Sequence, residues 1–458
     1  MPVRILSRRD FLRLGAVAAG SLALTSCEGE WFAFGDDRPN FVIIETDDQR
    51  YDTMQYMPKT QELIFDQGVT FEHGYITTPL CGPSRSSIFT GMYAHTHEVR
   101  DNFIKEFTDI TFAELLQQNG YYTGLVGKYS NTWKGEPRPE YDFWVSFSKG
   151  EHRYNNALLN VNGEWIRHQD EYITYTFGNY ALEFIEKASK KWKPFCLCLP
   201  FNAPHEPAVP AAVDKFIELE LPERAPSFNE ADVSDKPAWI SKDGLLNEEQ
   251  IGELDTFRRA QILTLFAVDR IVEQLMNKLD EKGLLDNTVV IFLSDNGKLW
   301  GEHRLTSKNS PYEEASRVPF ALRYPPLVPE AYTETIPVAN IDIAPTLYDL
   351  AGIPIPEKVD GESLVGLLRG EENWREGILI EGWPGRGVYA AYHTGQYVYI
   401  ETQGAVSEFY DLENDPYQMA NQIDNPEYEQ VIAHMKERLD EIREKETQDY
   451  QPLDSEGE

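Results

Sequence analysis

Four short runs of apolar residues stand out along the chain, and each is followed by polar residues of kinds that bind ions or catalyse reactions. The runs are 41–44, 122–126, 195–199 and 288–293. In the same order, they lead into Asp47-Asp48, Gly127-Lys128, Pro204-His205 and Ser294-Asp295-Asn296. Continuous apolar runs of this length are typical of strands buried on both faces of a mostly parallel sheet. Because ligands bind beyond the carboxyl ends of such strands, the pattern predicts a cleft lined by these polar side chains.

Segments with helical periodicity alternate with the apolar runs. Thr111 to Glu114 has the sequence of a capping box and predicts the start of a helix that ends at Gly120. A longer helix is predicted from Glu253 to Lys282, where apolar residues recur at helical spacing. This alternation predicts an α/β fold in which a large, mostly parallel sheet is sandwiched by helices.

A change in composition near residue 360 predicts a second, smaller unit. We predict a catalytic domain over residues 39–360 and a C-terminal α+β subdomain over 361–446, followed by an acidic tail over 447–458. The subdomain is expected to hold an antiparallel sheet and a covering helix, from the strand-like segments 377–381, 388–393 and 396–401 and the amphipathic segment 429–445. Residues 206–250 are rich in proline and acidic side chains, and we expect surface loops there, where substrate selectivity often lies.

The N-terminal segment has the pattern of an export signal. Residues 1–27 contain the twin-arginine pair Arg8-Arg9 and an apolar stretch that is too short to span a bilayer. The stretch ends at Cys27 in a sequence that resembles a bacterial or haloarchaeal lipobox, which predicts a lipid anchor on that cysteine. An uncleaved N-terminal anchor helix is the alternative. A linker is predicted over 28–38, and the catalytic body is expected to be extracytoplasmic, bound to the membrane only through this anchor.

Charge narrows the range of partners. The 458 residues carry 42 basic and 76 acidic side chains, a formal net charge of −34. A field of that sign repels nucleic acid and anionic membrane surfaces, which excludes both as partners. It would also repel a polyanionic substrate in dilute buffer, whereas at molar salt the Debye length falls to about 3 Å and only charges lining the pocket act. The acidity therefore points to a salty habitat.

Four cysteines are too few for a disulfide framework. Cys196 and Cys198 lie two residues apart in an apolar run, so we expect buried thiols on one face of a strand. Cys81 begins a segment with Pro83, which suits a first helical turn, and Gly91, which suits the helix end. Cys81 is then expected at a helix N-terminus, where free N–H groups and the helix dipole favour an anion such as sulfate.

The segment from Cys81 to Gly91 resembles the C-x-P-S-R signature of the type I, formylglycine-dependent sulfatases of the alkaline phosphatase-like superfamily. The resemblance implies that a formylglycine-generating enzyme oxidises Cys81 and that Arg85 holds the modified side chain. It also implies a metal site formed by the oxidised residue 81 and four companions, Asp47, Asp48, Asp295 and Asn296. Carboxylate and amide oxygens suit a hard divalent cation, with calcium favoured and magnesium the alternative.

The resemblance assigns roles to three further side chains. Lys128, His205 and Lys308 match positions that contact the substrate sulfate in the family, with His205 as the general acid. Asp295 and the metal would favour the ionised form of the attacking hydroxyl. One position departs from many arylsulfatases, because Ser130 stands where they have a histidine. Here the sequence is more similar to glucosamine-6-sulfatases and heparan-type sulfatases, and a serine cannot serve as the base.

These residues together predict a sulfuric ester hydrolase that acts on sulfated carbohydrate or an aryl sulfate. One alternative is a phosphodiesterase or phosphonate monoester hydrolase of the same superfamily. The other is a non-catalytic lipoprotein that binds sulfated glycans, in which Cys81 stays unmodified. A comparison of rates on an aryl sulfate and an aryl phosphodiester would separate the two enzymes.

Overall fold

The structure is a computed structural model that describes residues 37–103, 109–150, 153–242, 244–384 and 387–446. The predicted export signal with Cys27, most of the predicted linker and the predicted acidic tail lie outside these residues. Over the ranges that are described, no helix is long and apolar enough to cross a membrane.

The strands of the described chain are β1 (Asn40–Thr46), β2 (Val69–Phe71), β3 (Gly74–Tyr75), β4 (Tyr122–Val126), β5 (Phe143–Ser146), β6 (Leu158–Val161), β7 (Glu164–Arg167), β8 (Phe195–Pro200), β9 (Thr288–Ser294), β10 (Phe320–Arg323), β11 (Tyr332–Glu334), β12 (Val338–Ala339), β13 (Ile378–Gly382), β14 (Tyr389–His393), β15 (Tyr397–Thr402) and β16 (Glu408–Asp411). The α-helices are α1 (Pro58–Leu63), α2 (Cys81–Thr90), α3 (Ala94–His97), α4 (Phe112–Gln118), α5 (Ile173–Ala188), α6 (Glu248–Glu281), α7 (Glu313–Ser316), α8 (Ile343–Ala351), α9 (Leu364–Leu368) and α10 (Glu429–Glu446).

A ten-stranded sheet with the order β11-β2-β10-β9-β1-β8-β4-β5-β6-β7 runs through the larger part of the molecule. Its five central strands, from β9 to β5, are mutually parallel, whereas β10 and β6 join them antiparallel on either side. The four apolar runs of the sequence are the adjacent strands β9, β1, β8 and β4, and every residue in them is buried. Their carboxyl ends therefore lie along one edge of the sheet, as the sequence predicts.

Helices cover both faces of this sheet. Alternate residues of β1 belong to the two different apolar layers. Val42 and Ile44 pack among residues of α5 and α6. Phe41 and Ile43 pack on the other side of the sheet, with α2, α4 and α8. Cys196 and Cys198 lie on this second side, so they are buried thiols on one face of β8. The predicted sheet between layers of helices is confirmed.

The predicted start of α4 appears in the structure, whereas α6 starts at Glu248 and not at the predicted Glu253. The Thr111 hydroxyl accepts from the Glu114 N–H at 3.2 Å and begins α4, and Gly120 follows the helix end with a φ of +89°. Helix α6 begins earlier than its apolar periodicity indicates, because Asn247 and Gln250 form a capping box ahead of the first apolar turn. As expected, the described residues between β8 and α6 contain neither strand nor α-helix.

Near the C-terminus, β13, β14, β15 and β16 form a four-stranded antiparallel sheet against which α10 packs. The sequence predicts the first three strands and the helix, and β16 is an additional edge strand. Side chains of this sheet such as Leu379 and Tyr392 share one apolar cluster with Tyr75 and Tyr312 from the larger part of the molecule. The boundary at residue 360 stays a prediction.

Candidate active site

The sheet edge gathers the polar residues that follow the apolar strands. Asp47 and Asp48 come directly after β1, Lys128 follows β4, His205 follows β8, and Asp295 with Asn296 follows β9. Cys81 joins them as the first residue of α2. Asp47, Asp48, Cys81 and His205 each offer a ligand atom to one point, and these four atoms lie within 4.8 Å of one another. Segments that are far apart in the sequence thus form one buried group.

Cys81 lies at the amino end of α2, with Leu80 as the extended residue before the helix. Its Sγ is 3.3 Å from Asp47 Oδ1 and 2.7 Å from the ammonium of Lys308. Burial, reinforced by the charge of Asp295, raises the pKa of the Cys81 thiol well above its usual range. The neighbouring N–H of Gly82 donates to Asn102 Oδ1 at 2.8 Å, which attaches the loop after α3 to this end of the helix.

Lys128 owes its position to the glycine before it. Gly127 has a φ of +136°, and a Cβ at this residue would lie 1.9 Å from the carbonyl oxygen of Pro200. The N–H of Lys128 donates to the same carbonyl at 2.8 Å, and its Nζ lies 2.6 Å from Asp47 Oδ2. Burial would raise the pKa of Asp47, but Lys128 and the other cations nearby hold it well below the usual range.

Asp48 has two carboxylate oxygens in different surroundings. Its Oδ1 accepts from Asn296 Nδ2 at 2.7 Å and contacts the Lys308 ammonium. Its Oδ2 is buried and accepts no hydrogen bond from any described residue, and the same holds for Asn296 Oδ1. Buried oxygens without partners are rare in folded proteins and call for a ligand. A carboxylate and an amide oxygen of this kind fit a hard divalent cation such as calcium.

Arg85 binds the carboxylates that surround the site. Its Nε and Nη2 lie 3.0 Å from Asp295 Oδ2, and its Nη1 lies 2.7 Å from Glu45 Oε1. Burial raises the pKa of Asp295 to about 6, with a further contribution from the charge of Asp47. Burial also raises the pKa of Glu45 to about 8, against the opposing effect of Arg85. The predicted role of Arg85 in holding residue 81 itself stays a prediction.

His205 faces the site with one defined ring nitrogen. Its Nδ1 lies 2.8 Å from the carbonyl oxygen of Glu206, which can only accept, so Nδ1 carries a proton. Nε2 lies 3.8 Å from Asp48 Oδ2. Burial lowers the pKa of His205 despite the nearby charge of Asp48. Ser130 has its hydroxyl 3.5 Å from that of Thr132, and no described contact joins it to the site.

Two charged residues near the site carry no motif of their own. Glu45 interrupts the apolar pattern of a fully buried strand, and that interruption is the signal that could have revealed it. Lys298 comes two residues after Asn296, and its Nζ lies 3.8 Å from both Asp48 Oδ2 and Glu206 Oε2. Its position directly after a polar cluster at the end of a strand is the sequence signal that could have indicated a role in the site.

The chain belongs to the sulfatase family, since the family model for sulfatases matches residues 39–353. A model described as N-sulphoglucosamine sulphohydrolase, C-terminal, matches residues 301–445. An extracellular sulfatase Sulf-1 homologue of Caenorhabditis elegans is 36% identical over 377 residues, a match that covers 76% of this chain and 53% of the relative. The chain thus spans about half the length of that relative.

Two further similarities bear on the fold and the family. The N-acetylglucosamine-6-sulfatase of Homo sapiens is 34% identical over 394 residues, which cover 79% of this chain and 70% of the human protein. A solved structure described as a complex with its substrate D-glucosamine-2-N,6-O-disulfate superposes with a TM-score of 0.79 at 25% identity, covering 92% of this chain and 100% of that chain. The predicted family and the predicted alkaline phosphatase-like fold are confirmed.

Proposed function

We propose that this protein hydrolyses sulfate esters on glucosamine units of glycosaminoglycan-type carbohydrate, using a formylglycine made from Cys81 and one divalent cation. One observation carries the proposal. Cys81 Sγ lies beside Asp47 and the Lys308 ammonium, while Asp48 Oδ2 and Asn296 Oδ1 lie nearby without hydrogen-bond partners among the described residues. A nucleophile position, a cation site and cationic side chains for an anionic group therefore coincide.

The thiol itself is poorly suited to nucleophilic attack. Burial keeps its pKa well above the usual range, and only the thiolate is strongly nucleophilic. Oxidation to formylglycine would supply a hydrated aldehyde with a hydroxyl that attacks sulfur. On this proposal, those oxygens would take the place of Sγ, which lies 3.3 Å from Asp47 Oδ1. Such an oxidation would explain why a buried cysteine begins a helix among so many charged residues.

Asp47, Asp48, Asp295 and Asn296 would hold the cation, and their oxygens favour calcium over transition metals. When bound, it would add positive charge that favours ionisation of the attacking hydroxyl. Lys128 and Lys308 are positioned to bind sulfate oxygens as charge develops. A preorganised donor of this type contributes roughly 3 kcal/mol to lowering the barrier.

His205 is assigned the proton transfer to the leaving alcohol. Because Nδ1 keeps its proton on the Glu206 carbonyl, His205 acts as an acid only when the ring is doubly protonated, and Nε2 is then the nitrogen that delivers the proton. Ser130 cannot replace the histidine that many arylsulfatases have at its position, so another group, or hydroxide from water, must act as the base that releases sulfate. The assignment of His205 is specific to one nitrogen and is open to test.

The proposed substrate class rests on the names of the relatives. The human relative is named for N-acetylglucosamine 6-sulfate, and the solved structure is described with a glucosamine carrying 2-N- and 6-O-sulfates. The C. elegans relative is named as extracellular. We therefore propose export of this protein, by the twin-arginine route and with lipidation at Cys27, to meet such glycans outside the cytoplasmic membrane.

Cys81→Ala and Cys81→Ser variants test the mechanism. We expect both to lose turnover of glucosamine 6-sulfate and of an aryl sulfate while keeping the circular dichroism spectrum of the wild type. Mass spectrometry of the peptide spanning residues 78–85 should find formylglycine in active wild-type protein. Full activity in either variant, or active protein in which every Cys81 is an unmodified thiol, would refute the mechanism. A higher rate on an aryl phosphodiester than on the sulfates would instead favour the phosphodiesterase alternative.

A further inference from the structure

Lys298 is held rigidly at the edge of the site. Its carbonyl oxygen accepts from Arg50 Nη1 at 3.1 Å. The N–H of the preceding Gly297 donates to the Ala315 carbonyl at 2.9 Å, and a Cβ on Gly297 would lie 2.2 Å from the carbonyl oxygen of Glu314. The backbone is thus fixed on both sides of the lysine. Only 9% of the Lys298 side chain is exposed, so its ammonium has little freedom to move away.

The ammonium lies on the outer side of Asp48. Lys308 and Asn296 contact the Oδ1 oxygen, whereas Lys298 and His205 each lie 3.8 Å from Oδ2. The other carboxylate near Lys298 belongs to Glu206, whose side chain is 64% exposed. Lys298 therefore lies between the buried group and the protein surface, on the same side of Asp48 as His205, which the proposed mechanism assigns to the leaving alcohol.

The ammonium of Lys298 has only long contacts among the described residues, one of them with the ring of Phe257, whose centroid lies 5.5 Å from Nζ. Both carboxylates are 3.8 Å away, beyond hydrogen-bonding distance, and no acceptor in the described part of the chain receives a hydrogen bond from this ammonium. An ammonium group has three donors, and those of Lys298 are available to an anionic ligand. A cation bound at Asp48 would offset part of the negative charge of that carboxylate. The ammonium of Lys298 would then lie in a more positive environment.

We propose that Lys298 is a specificity-determining residue that binds a second anionic substituent on the sugar that carries the scissile sulfate. This inference rests on the proposed function. The net charge of −34 repels a polyanion at a distance, so the lysines of the pocket must supply the local attraction. Lys128 and Lys308 are assigned to the scissile sulfate, whereas Lys298 lies 3.8 Å from Asp48 Oδ2, the oxygen that His205 also faces at 3.8 Å.

A matched pair of substrates tests the inference. N-acetylglucosamine 6-O-sulfate and N-sulfoglucosamine 6-O-sulfate differ in whether the substituent at C2 is anionic. We expect wild-type protein to prefer the N-sulfo sugar and Lys298→Met to lose about tenfold in kcat/KM on that sugar alone, as the loss of one hydrogen bond to a charged group implies. Lys298→Arg should restore most of the preference, and Lys190→Met, which removes an exposed lysine after α5, should change neither value.

A binding measurement in the Cys81→Ala background separates recognition from catalysis. Calorimetry should show the same selective loss of affinity for the N-sulfo sugar when Lys298→Met is added. Equal losses on both sugars, or no loss on either, would overturn the specificity role while leaving the proposed function intact. Failure of the wild type to hydrolyse either sugar would instead contradict the proposed function.

Discussion

The guanidinium of Arg85 contacts Asp295 through two of its nitrogen atoms, Nε and Nη2, each 3.0 Å from Oδ2. A third nitrogen, Nη1, lies 2.7 Å from Glu45 Oε1. These contacts join α2, which begins with Cys81, to the ends of β1 and β9. The position of Cys81 is therefore fixed by carboxylates that lie outside its own helix.

Replacing Arg85 with lysine should cost both stability and activity. Lysine cannot reach both carboxylates with a planar fork, and an unpaired buried charge costs about 3–5 kcal/mol. We expect the free energy of unfolding, measured in urea, to fall by that order and turnover to fall at least roughly hundredfold. The matched control is Arg224→Lys, in a half-exposed pair with Asp255 at 2.6 Å, which should cost less than about 1 kcal/mol. Similar losses in the two variants would show that burial of the Arg85 network does not matter.

Calcium should stabilise the folded protein through the oxygens that lack partners. After dialysis against EDTA, adding calcium to about 100 times its dissociation constant should raise the free energy of unfolding by about 2.7 kcal/mol, because the ion binds only the native state. Asn296→Ala removes one of these oxygens and should abolish most of that gain. Asn277→Ala, at a surface position on α6, is the control. An undiminished calcium effect in Asn296→Ala would place the ion elsewhere.

Two glycines give opposite predictions for the same substitution. Gly127→Ala brings a Cβ within 1.9 Å of the Pro200 oxygen at a φ of +136°, so the turn that presents Lys128 must shift. We expect a loss of roughly 3 kcal/mol or more, with turnover falling in parallel. Gly252 lies within α6, where an added methyl group would meet no atom within 4 Å among the described residues, and Gly252→Ala should stabilise by about 0.5–1 kcal/mol. Thermal unfolding of the two variants is the test. A Gly127→Ala variant as stable as the wild type would contradict the close approach of residue 127 to Pro200.

His97 predicts a pH dependence of stability. Its Nδ1 accepts from the Val99 N–H at 3.1 Å, so Nε2 carries the proton and donates to the Ser87 hydroxyl at 3.0 Å. Burial lowers the pKa of His97 to about 3, so the native state keeps the ring neutral where the unfolded state protonates it below about 6.5. The unfolded chain then binds more protons, and stability falls as pH falls through that range, by up to about 1.4 kcal/mol per pH unit.

The measurement compares urea unfolding of wild type and His97→Asn between about pH 7.5 and pH 4.5, the interval in which the unfolded histidine gains its proton. Asparagine keeps an acceptor for the Val99 N–H but cannot be protonated. The difference between the two stability curves should therefore narrow steadily as the solution is acidified. If the two stability curves stay parallel over the whole pH range, protonation of His97 is not the cause of the pH dependence of stability.

The parts of the fold that the sequence predicts are those with a strong local signal. Strands buried on both faces must be continuously apolar, which marks β1, β4, β8 and β9, and a capping sequence marks the start of α4. Edge strands carry less information. β16 contains the segment Glu408 to Asp411, where two acidic residues enclose two aromatic ones, and its strand character comes from pairing with β15.

The candidate site divides in the same way. Its motif residues come together at the sheet edge as expected. Glu45 and Lys298 were missed because their importance arises from contacts across the fold, with Arg85 and Asp48 respectively. When the partner of a residue lies far away in the sequence, the hydrophobic periodicity around that residue does not reveal the contact. The metal identity and the residue roles remain predictions for the experiments above.

All ten residues of α2 are buried. Most helices expose one side to solvent, and the residues on that side, which recur every few positions, can be substituted during evolution without loss of stability. Here such neutral positions are missing, so tolerance to substitution along residues 81–90 would be uniformly low, with no helical period. The stretch that begins with Cys81 is thus expected to change slowly through packing alone, before any demand of chemistry is counted.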